Sequence, residues 1–335
     1  MLRFAIRRFV STAFLLTGVL VMTFALARIL PGDPARLVAG ARAGPEAVAA
    51  VRAQLGLDLP LSRQFIQYVS GILEGDFGKS IITSRPISTD ILTFFPATVE
   101  LVILASLLSL AGGVTLGVLA AVKSGGKADA SVRAVSVFGL SVPDFWTGLI
   151  CQLLFFSVLG ILPFGGRLST GVAMPPQVTG FVTVDSLLAG RPDLFADALH
   201  HMILPVFVLA IPSTAIIIRV VRTTMLEVLS ADYIRTARAK GIAPLKVYLR
   251  HALANSLLPI VTVFGLNMGL MISGAVLVEL IFNLPGLGRY TADAIAGSDY
   301  NAIMAITLVV SAAYILINLI VDLSYVFLDP RVELK

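Results

Sequence analysis

The hexapeptide GDFGKS at residues 75–80 ends in the Gly-Lys-Ser of a phosphate-binding loop. Such a loop also needs a glycine five residues before that tripeptide, so that successive backbone amides ring the phosphates, and Leu73 stands there instead. Other signatures of bond-making chemistry are equally incomplete. His200 and His201 are adjacent, which sends their side chains to different parts of a helix surface, and no HExxH pair occurs. Ser141, in GLSVP, lacks the second glycine of a nucleophile elbow. An intramembrane hydrolase using Ser141 or Ser213 with a distant histidine stays open beside the plainer reading, in which small polar residues help helices pack. Cys151 is the single cysteine and lies in an apolar run, so neither a disulfide framework nor a cysteine metal site is expected. The reading is of a chain that is not an enzyme, with no catalytic, cofactor-binding or metal-binding residues.

The elements that carry these residues are set by composition. Of 335 residues 57% are hydrophobic and only 13% charged, about half the charged share of an ordinary soluble domain. A spanning helix needs about 20 mainly apolar residues. Six segments qualify: Phe9 to Leu30, Ala97 to Val122, Val135 to Phe164, Leu199 to Val221, Ser256 to Phe282 and Ala302 to Leu328. The expected fold is therefore an all-α integral membrane protein. The first segment follows Arg3, Arg7 and Arg8 but meets PGDP at 31–34 rather than a small-residue cleavage site, so it reads as a retained span. Basic residues at the N-terminus, at Lys123, Lys127 and Arg133, and at seven positions between Arg219 and Arg250 all fall on one side of a six-span arrangement. That side is cytoplasmic, with both termini on it. The net charge of +5 is thus a matter of membrane orientation, and nucleic acid is not an expected partner.

The organisation that follows is residues 1–30 as N-terminus and first span, 31–96 as an external segment with short helices, 97–328 as a five-helix core, and 329–335 as a cytoplasmic tail. Pro45 and the Ala, Val and Leu spacing after it mark a helix ending before Gly56. The stretch from Gly165 to Ala198 is rich in Gly and Pro and reads as irregular or as a flexible plug.

Ionisable residues within spans mark a pathway, a relay or an internal pair. Arg28, Glu100 and Asp322 lie near span ends, where snorkelling explains them, whereas Glu279 divides evenly between structural and functional readings. In SVPDFWTG, Pro143 precedes Asp144, and a proline inside a span frees backbone groups that need protein or water partners. A break near Ser141 to Gly148 is expected, with Ser141, Pro143 and Asp144 as pathway residues. Asn267, in the Gly-rich GLNMGLMISGA, faces either the pore or a tight helix contact.

The basic insert SADYIRTARAKGIAPLKVYLRHAL, 230–253, predicts a helix capped by Ser230, with Asp232 in its first turn and Ile234 and Ala237 on one side. Gly241 stops it and Pro244 opens a second helix, whose stripe is Leu245, Tyr248, Leu249, Ala252, Leu253 and Ser256. Two roles compete: an interfacial helix pair on anionic lipid, which composition favours, or a short helix docked in a partner's groove.

At these residues the sequence resembles the membrane subunits of ATP-binding-cassette importers, in the group that handles dipeptides, oligopeptides and nickel. DYIRTARAKG at 232–241 and RHALANSLLP at 250–259 resemble that group's coupling loop, here within 222–255. The general importer loop carries Glu-Ala-Ala where this chain has Arg235, Thr236 and Ala237, keeps the glycine at Gly241, and has proline where Ala254 stands. The peptide group's later proline corresponds to Pro259. ARILPGDP at 27–34, GDFGKS at 75–80, PATVEL at 96–101, FNLPGLGR at 282–289 and NLIVDLSYVFLDPR at 318–331 extend the resemblance along nearly the whole chain. It implies a permease of the bacterial inner membrane, importing di- or oligopeptides. It also implies a second homologous permease, two ATPase subunits that bind ATP and Mg, and an external binding protein. Tyr233, Arg235, Thr236, Ala237, Arg238, Ala239, Lys240 and Gly241 are then the coupling residues. An ion-coupled secondary transporter is the alternative.

Overall fold

In the computed structural model, residues 2–29, 34–40, 42–54 and 56–328 are described. PGDP up to Asp33 and the tail 329–335 lie outside them. Apart from an isolated bridge between Lys79 and Pro86, the described residues form helices and connections. In chain order these are α1 (Leu2–Ile29), α2 (Pro34–Ala39), α3 (Pro45–Gln54), α4 (Leu61–Glu74), α5 (Ile87–Val122), α6 (Lys127–Ser141) and α7 (Asp144–Cys151), which continues as a π-helix over Gln152–Val158. Then come α8 (Val182–Leu188), α9 (Pro192–Leu229), α10 (Asp232–Ala239), α11 (Pro244–Lys246) with a π-helix over Val247–Leu253, α12 (Ala254–Ile281), α13 (Leu287–Ala296) and α14 (Tyr300–Leu328).

Four helical stretches are long and apolar enough to cross a membrane: Ile87–Val122, Pro192–Leu229, Pro244–Ile281 and Tyr300–Ser324. The bent pair of α6 and α7 with its π-helix brings the number to as many as five among the described residues. Val10–Ala25 is a shorter apolar stretch. α5 and α9 run beyond their predicted spans, and both carry prolines in their interiors. Pro96 lies inside α5, and Pro205 and Pro212 inside α9.

The chain divides into two compact units, 1–95 with 289–315, and 96–288 with 316–335. In the first unit, GDFGKS is a turn rather than a cradle. Gly78 N donates to Asp76 Oδ1, and the Ser80 hydroxyl and Ile81 amide both donate to the fully buried Asp299, at 2.6 and 2.7 Å. Asp90, also buried, accepts from Tyr290 Oη at 3.0 Å and lies 2.6 Å from Arg85. Tyr290 stacks on Phe94, and burial pushes its hydroxyl pKa up.

In the second unit α9 is central, packing against α12, α6, α8 and α7. Gly113 and Gly117, four residues apart on α5, let the α9 backbone approach: a Cβ at either would collide with Ile217 or Val221. This is the small-residue spacing that membrane helices use where lipid supplies no hydrophobic drive.

Two sequence expectations are corrected here. Glu100 is not a snorkelling end residue, since it is 4% exposed. Arg167 NH2 donates to Glu100 Oε2 at 2.6 Å, and the Val182 and Thr183 amides and the Thr183 hydroxyl donate to the same carboxylate. The segment from Gly165 to Ala198 is irregular only as far as Phe181, then forms α8 and enters α9. Asp185 fastens it from within. Burial raises the Asp185 pKa, but hydrogen bonds from Thr179 and Gly180 outweigh that and hold it below the ordinary carboxylate value.

Removing one partner of a buried pair leaves an uncompensated charge, at about 3–5 kcal/mol. Arg167→Met is therefore expected to lower thermal unfolding in detergent sharply, and Glu100→Gln added to it to recover part of the loss. Equal stability of Arg167→Met and wild type would contradict this assignment.

Candidate functional site: a surface helix and a broken span

Eight residues are too few for a helix to be stable by itself in water. α10 forms because its two apolar residues are covered. Ile234 is fully buried and Ala237 8% exposed, in a cluster with Ala121 of α5, Ile217, Val221 and Met225 of α9, Val247 and Ala252 of the second π-helix, and Ile260 of α12. Gly241 has φ +74, a left-handed conformation that costs glycine nothing, and its amide donates to Arg238 O at 2.9 Å. Pro244 starts α11, as its spacing predicts.

The expected Ser230 cap is not made. Ala231 is the N-cap, without a side-chain bond, and the Ser230 hydroxyl donates backwards to Glu227 O at 2.7 Å. The apolar stripe of the second helix is corrected in part. Leu245 and Leu249 are 68% and 49% exposed, whereas Val247 is 1% exposed. Ala252 and Ser256 of the predicted stripe are buried and Tyr248 and Leu253 half-buried, so the face drawn at 3.6 residues per turn holds in its second half. The π-helix over Val247–Leu253 changes the residue period and brings Val247 inward in place of Leu249.

Tyr233, Arg235, Thr236, Arg238, Ala239, Lys240 and Gly241 are all exposed. Arg235 lies 3.4 Å from Asp232, but both side chains are largely in solvent, so the pair ties up little of the positive charge. Ala237 is the exception among the coupling residues, since it faces the core. α10 thus offers a basic outer surface on an apolar footing that reaches α5, α9 and α12.

The predicted break is present, and Val135 to Phe164 is not one continuous span. α6 ends at Ser141, Val142 and Pro143 are extended, and α7 restarts at Asp144 with the axis turned by 103°. Proline forces the preceding residue out of helical geometry. Ser141 Oγ donates to Val137 O, and Asp144 stands in the first turn of α7, where the helix dipole favours a carboxylate. The other two pathway residues lie on α12. Asn267 is 7% exposed and donates to Val263 O of its own helix. Glu279, 12 residues or about 18 Å further along α12, is 1% exposed and accepts from the Thr98 hydroxyl, which accepts in turn from the Leu287 amide. Gly286 and Gly288 press on the Glu279 carboxylate, which accounts for FNLPGLGR.

Sequence reading missed a connection between α6 and α9. Asp129, 1% exposed, is held by Arg222 through Nε and NH2 at 2.6 and 2.9 Å, and accepts from Gly125 N. Arg222 is 93 residues away in the chain, beyond the reach of local spacing. Candidate nucleophiles are occupied otherwise: Ser213 donates to Ser109, His200 contacts Ile161 O and His201 contacts Asp197 O.

Among the described residues the architecture is all-helical. At 15% identity and a TM-score of 0.53, over 70% of this chain and 93% of the other, it is similar in fold to the MetNI methionine ABC transporter solved in inward facing conformations. Residues 113–334 match the family described as binding-protein-dependent transport system inner membrane component, and residues 1–102 match that family's N-terminal region. The chain is 47% identical to the "Probable D,D-dipeptide transport system permease protein DdpB" of Escherichia coli, covering 94% of this chain and 93% of the relative. It is 43% identical to the di/tripeptide permease DppB of Pseudomonas aeruginosa, over 99% of each, and 40% identical to the E. coli dipeptide permease DppB, over 100% of each. The chain belongs to the binding-protein-dependent transport system inner membrane component family. This is a family of transport permeases, not of enzymes, and membership sets aside the ion-coupled secondary transporter.

Truncating Ile234 to Ala removes the main anchor of α10, a change that costs about 2–5 kcal/mol in a core. Amide exchange across residues 232–239 is expected to rise at least about tenfold. Unchanged exchange would mean that the footing does not hold the helix.

Proposed function

We propose that this chain is one permease subunit of an ATP-driven importer of short peptides, and that α10 is its coupling helix. The observation that carries the reading is the exposed basic surface of α10 standing on a buried apolar footing. The relatives' names support the substrate class, since they are permeases for D,D-dipeptides, di/tripeptides and dipeptides. In this reading a second homologous permease completes the pathway, two ATPase subunits bind ATP and Mg, and an external binding protein delivers peptide. α1 is the first of six spans, residues 31–96 are external, and the loop 222–255 and both termini are cytoplasmic, as the distribution of Arg and Lys supports.

Arg235, Arg238 and Lys240, with Tyr233, Thr236 and Ala239 around them, meet an acidic groove of the ATPase. When the ATPases close on ATP, the displacement enters α10 and passes through Ile234 and Ala237 to the ends of α5, α9 and α12. A loose helix would dissipate it, whereas a short helix with a packed underside moves as a body. At the break, Ser141, Pro143 and Asp144 supply a polar, interrupted stretch of backbone of the sort tolerated where a cavity is lined. Glu279 ties α12 to α5 through Thr98, and Asn267 places a buried side-chain amide along the same helix.

Co-purification in mild detergent of a second permease and two ATPase subunits, with ATP hydrolysis stimulated by a peptide-loaded binding protein, is the expected result. Isolation of the chain alone, moving solute under an ion gradient without ATP, would overturn the reading. Gly241→Pro removes both the positive φ and the amide bonded to Arg238. It is expected to leave the complex assembled and hydrolysing ATP while abolishing uptake, and normal uptake by this variant would reject α10 as the coupling element.

A further inference from the structure

The Asp129–Arg222 pair borders a cavity of about 210 Å³, lined by Arg133, Ser136 and Val137 of α6 and by Ile218, Arg219, Arg222 and Thr223 of α9. Its polar chemistry is one-sided. Three arginines line it, and the neighbouring carboxylate, Asp129, is turned to holding Arg222 and lies 3.5 Å from Arg133. Arg222 has five N–H donors, of which Asp129 takes two, one on Nε and one on NH2. The Arg219 side chain makes no ion pair or hydrogen bond among the described residues and is exposed, as is Thr223. The Ser136 hydroxyl is already donated to Ala215 O. The cavity is therefore rich in donors and positive charge and poor in acceptors, so the matching ligand brings several anionic oxygens of its own.

Guanidinium groups match phosphate oxygens in paired, charge-assisted bonds. The volume is below the roughly 300 Å³ at which pockets for drug-sized molecules begin. It suits one headgroup or free anion and is too small for a whole lipid or nucleotide. Arg133 and Arg222 lie six and seven residues from the nearer ends of α6 and α9, about 10 Å along the axes. From there long side chains reach the headgroup layer. We propose that this cavity binds a phosphate group, clamping α6 to α9 beside the footing of α10. The occupant is a phospholipid headgroup or a free phosphate. The proposal does not depend on what the permease transports.

Native mass spectrometry of the purified complex tests it, with phosphatidylglycerol as probe, dioleoylglycerol as its phosphate-free counterpart and inorganic phosphate as competitor. Wild type is expected to retain phosphatidylglycerol but not dioleoylglycerol, and Arg219→Gln to weaken that retention about fivefold, as befits one cation near an anionic surface. Arg219→Lys is expected to restore most of it. Thr223→Val, which removes one donor and no charge, gives a smaller loss and serves if Arg219→Gln does not assemble. Displacement of the lipid by inorganic phosphate identifies a free anion as an occupant, whereas retention in its presence identifies the headgroup. Equal retention of phosphatidylglycerol by wild type and both variants, or of dioleoylglycerol and phosphatidylglycerol by wild type, overturns the proposal.

Discussion

The burial of Ile234 under α10 is the contact on which the proposed mechanism rests. An eight-residue helix carrying Arg235, Arg238 and Lys240 has no stability of its own to draw on, and its ion pair with Asp232 is too exposed to supply any. What keeps it helical is the fully buried Ile234, with Ala237 one turn on, set among residues of α5, α9, the second π-helix and α12. The same contact separates its two sides, leaving the charges outward and the apolar pair inward. Whatever pushes on the outer side is felt at three long helices.

Charge is handled differently within the apolar body. Glu100 and Asp129 are nearly inaccessible, and each is held by an arginine and by backbone amides, Glu100 by Arg167 with the amides of Val182 and Thr183, Asp129 by Arg222 with that of Gly125. Glu279 has instead the Thr98 hydroxyl and the close backbone of Gly286 and Gly288. Each carboxylate joins segments distant in sequence. This is how a chain with few charged residues uses those it buries: an unpaired charge at such a place is expensive, and a paired one specifies which segments meet.

Much of this was legible in the sequence where the signal is local. Ile234 and Ala237, three residues apart, read as one helix face and are buried. Gly241 read as a stop and adopts positive φ, and Pro143 read as a break and makes one. The failures have physical causes. The stripe through Leu245 and Leu249 assumed an α-helical period that a π-helix replaces, and nothing in VYLRHAL announces that change. The span that read as starting at Ala97 is the later part of a helix that begins at Ile87 and runs through Pro96. Glu100 read as a snorkelling residue because its partner Arg167 is 67 positions away. Family resemblance filled part of this gap by naming the loop, but pairings between distant charges needed coordinates.

The two sides of α10 also permit a direct test of whether its outer surface meets an ATPase or only lipid. A photo-crosslinking amino acid is placed in turn at Tyr233, Arg235, Arg238, Ile234 and Ala237 of the assembled transporter in membranes, and the crosslinked partner is identified. The account predicts adducts to an ATPase subunit from the three outward positions and only internal adducts from the two buried ones. Adducts to lipid alone from positions 233, 235 and 238 would contradict it and make α10 an interfacial helix.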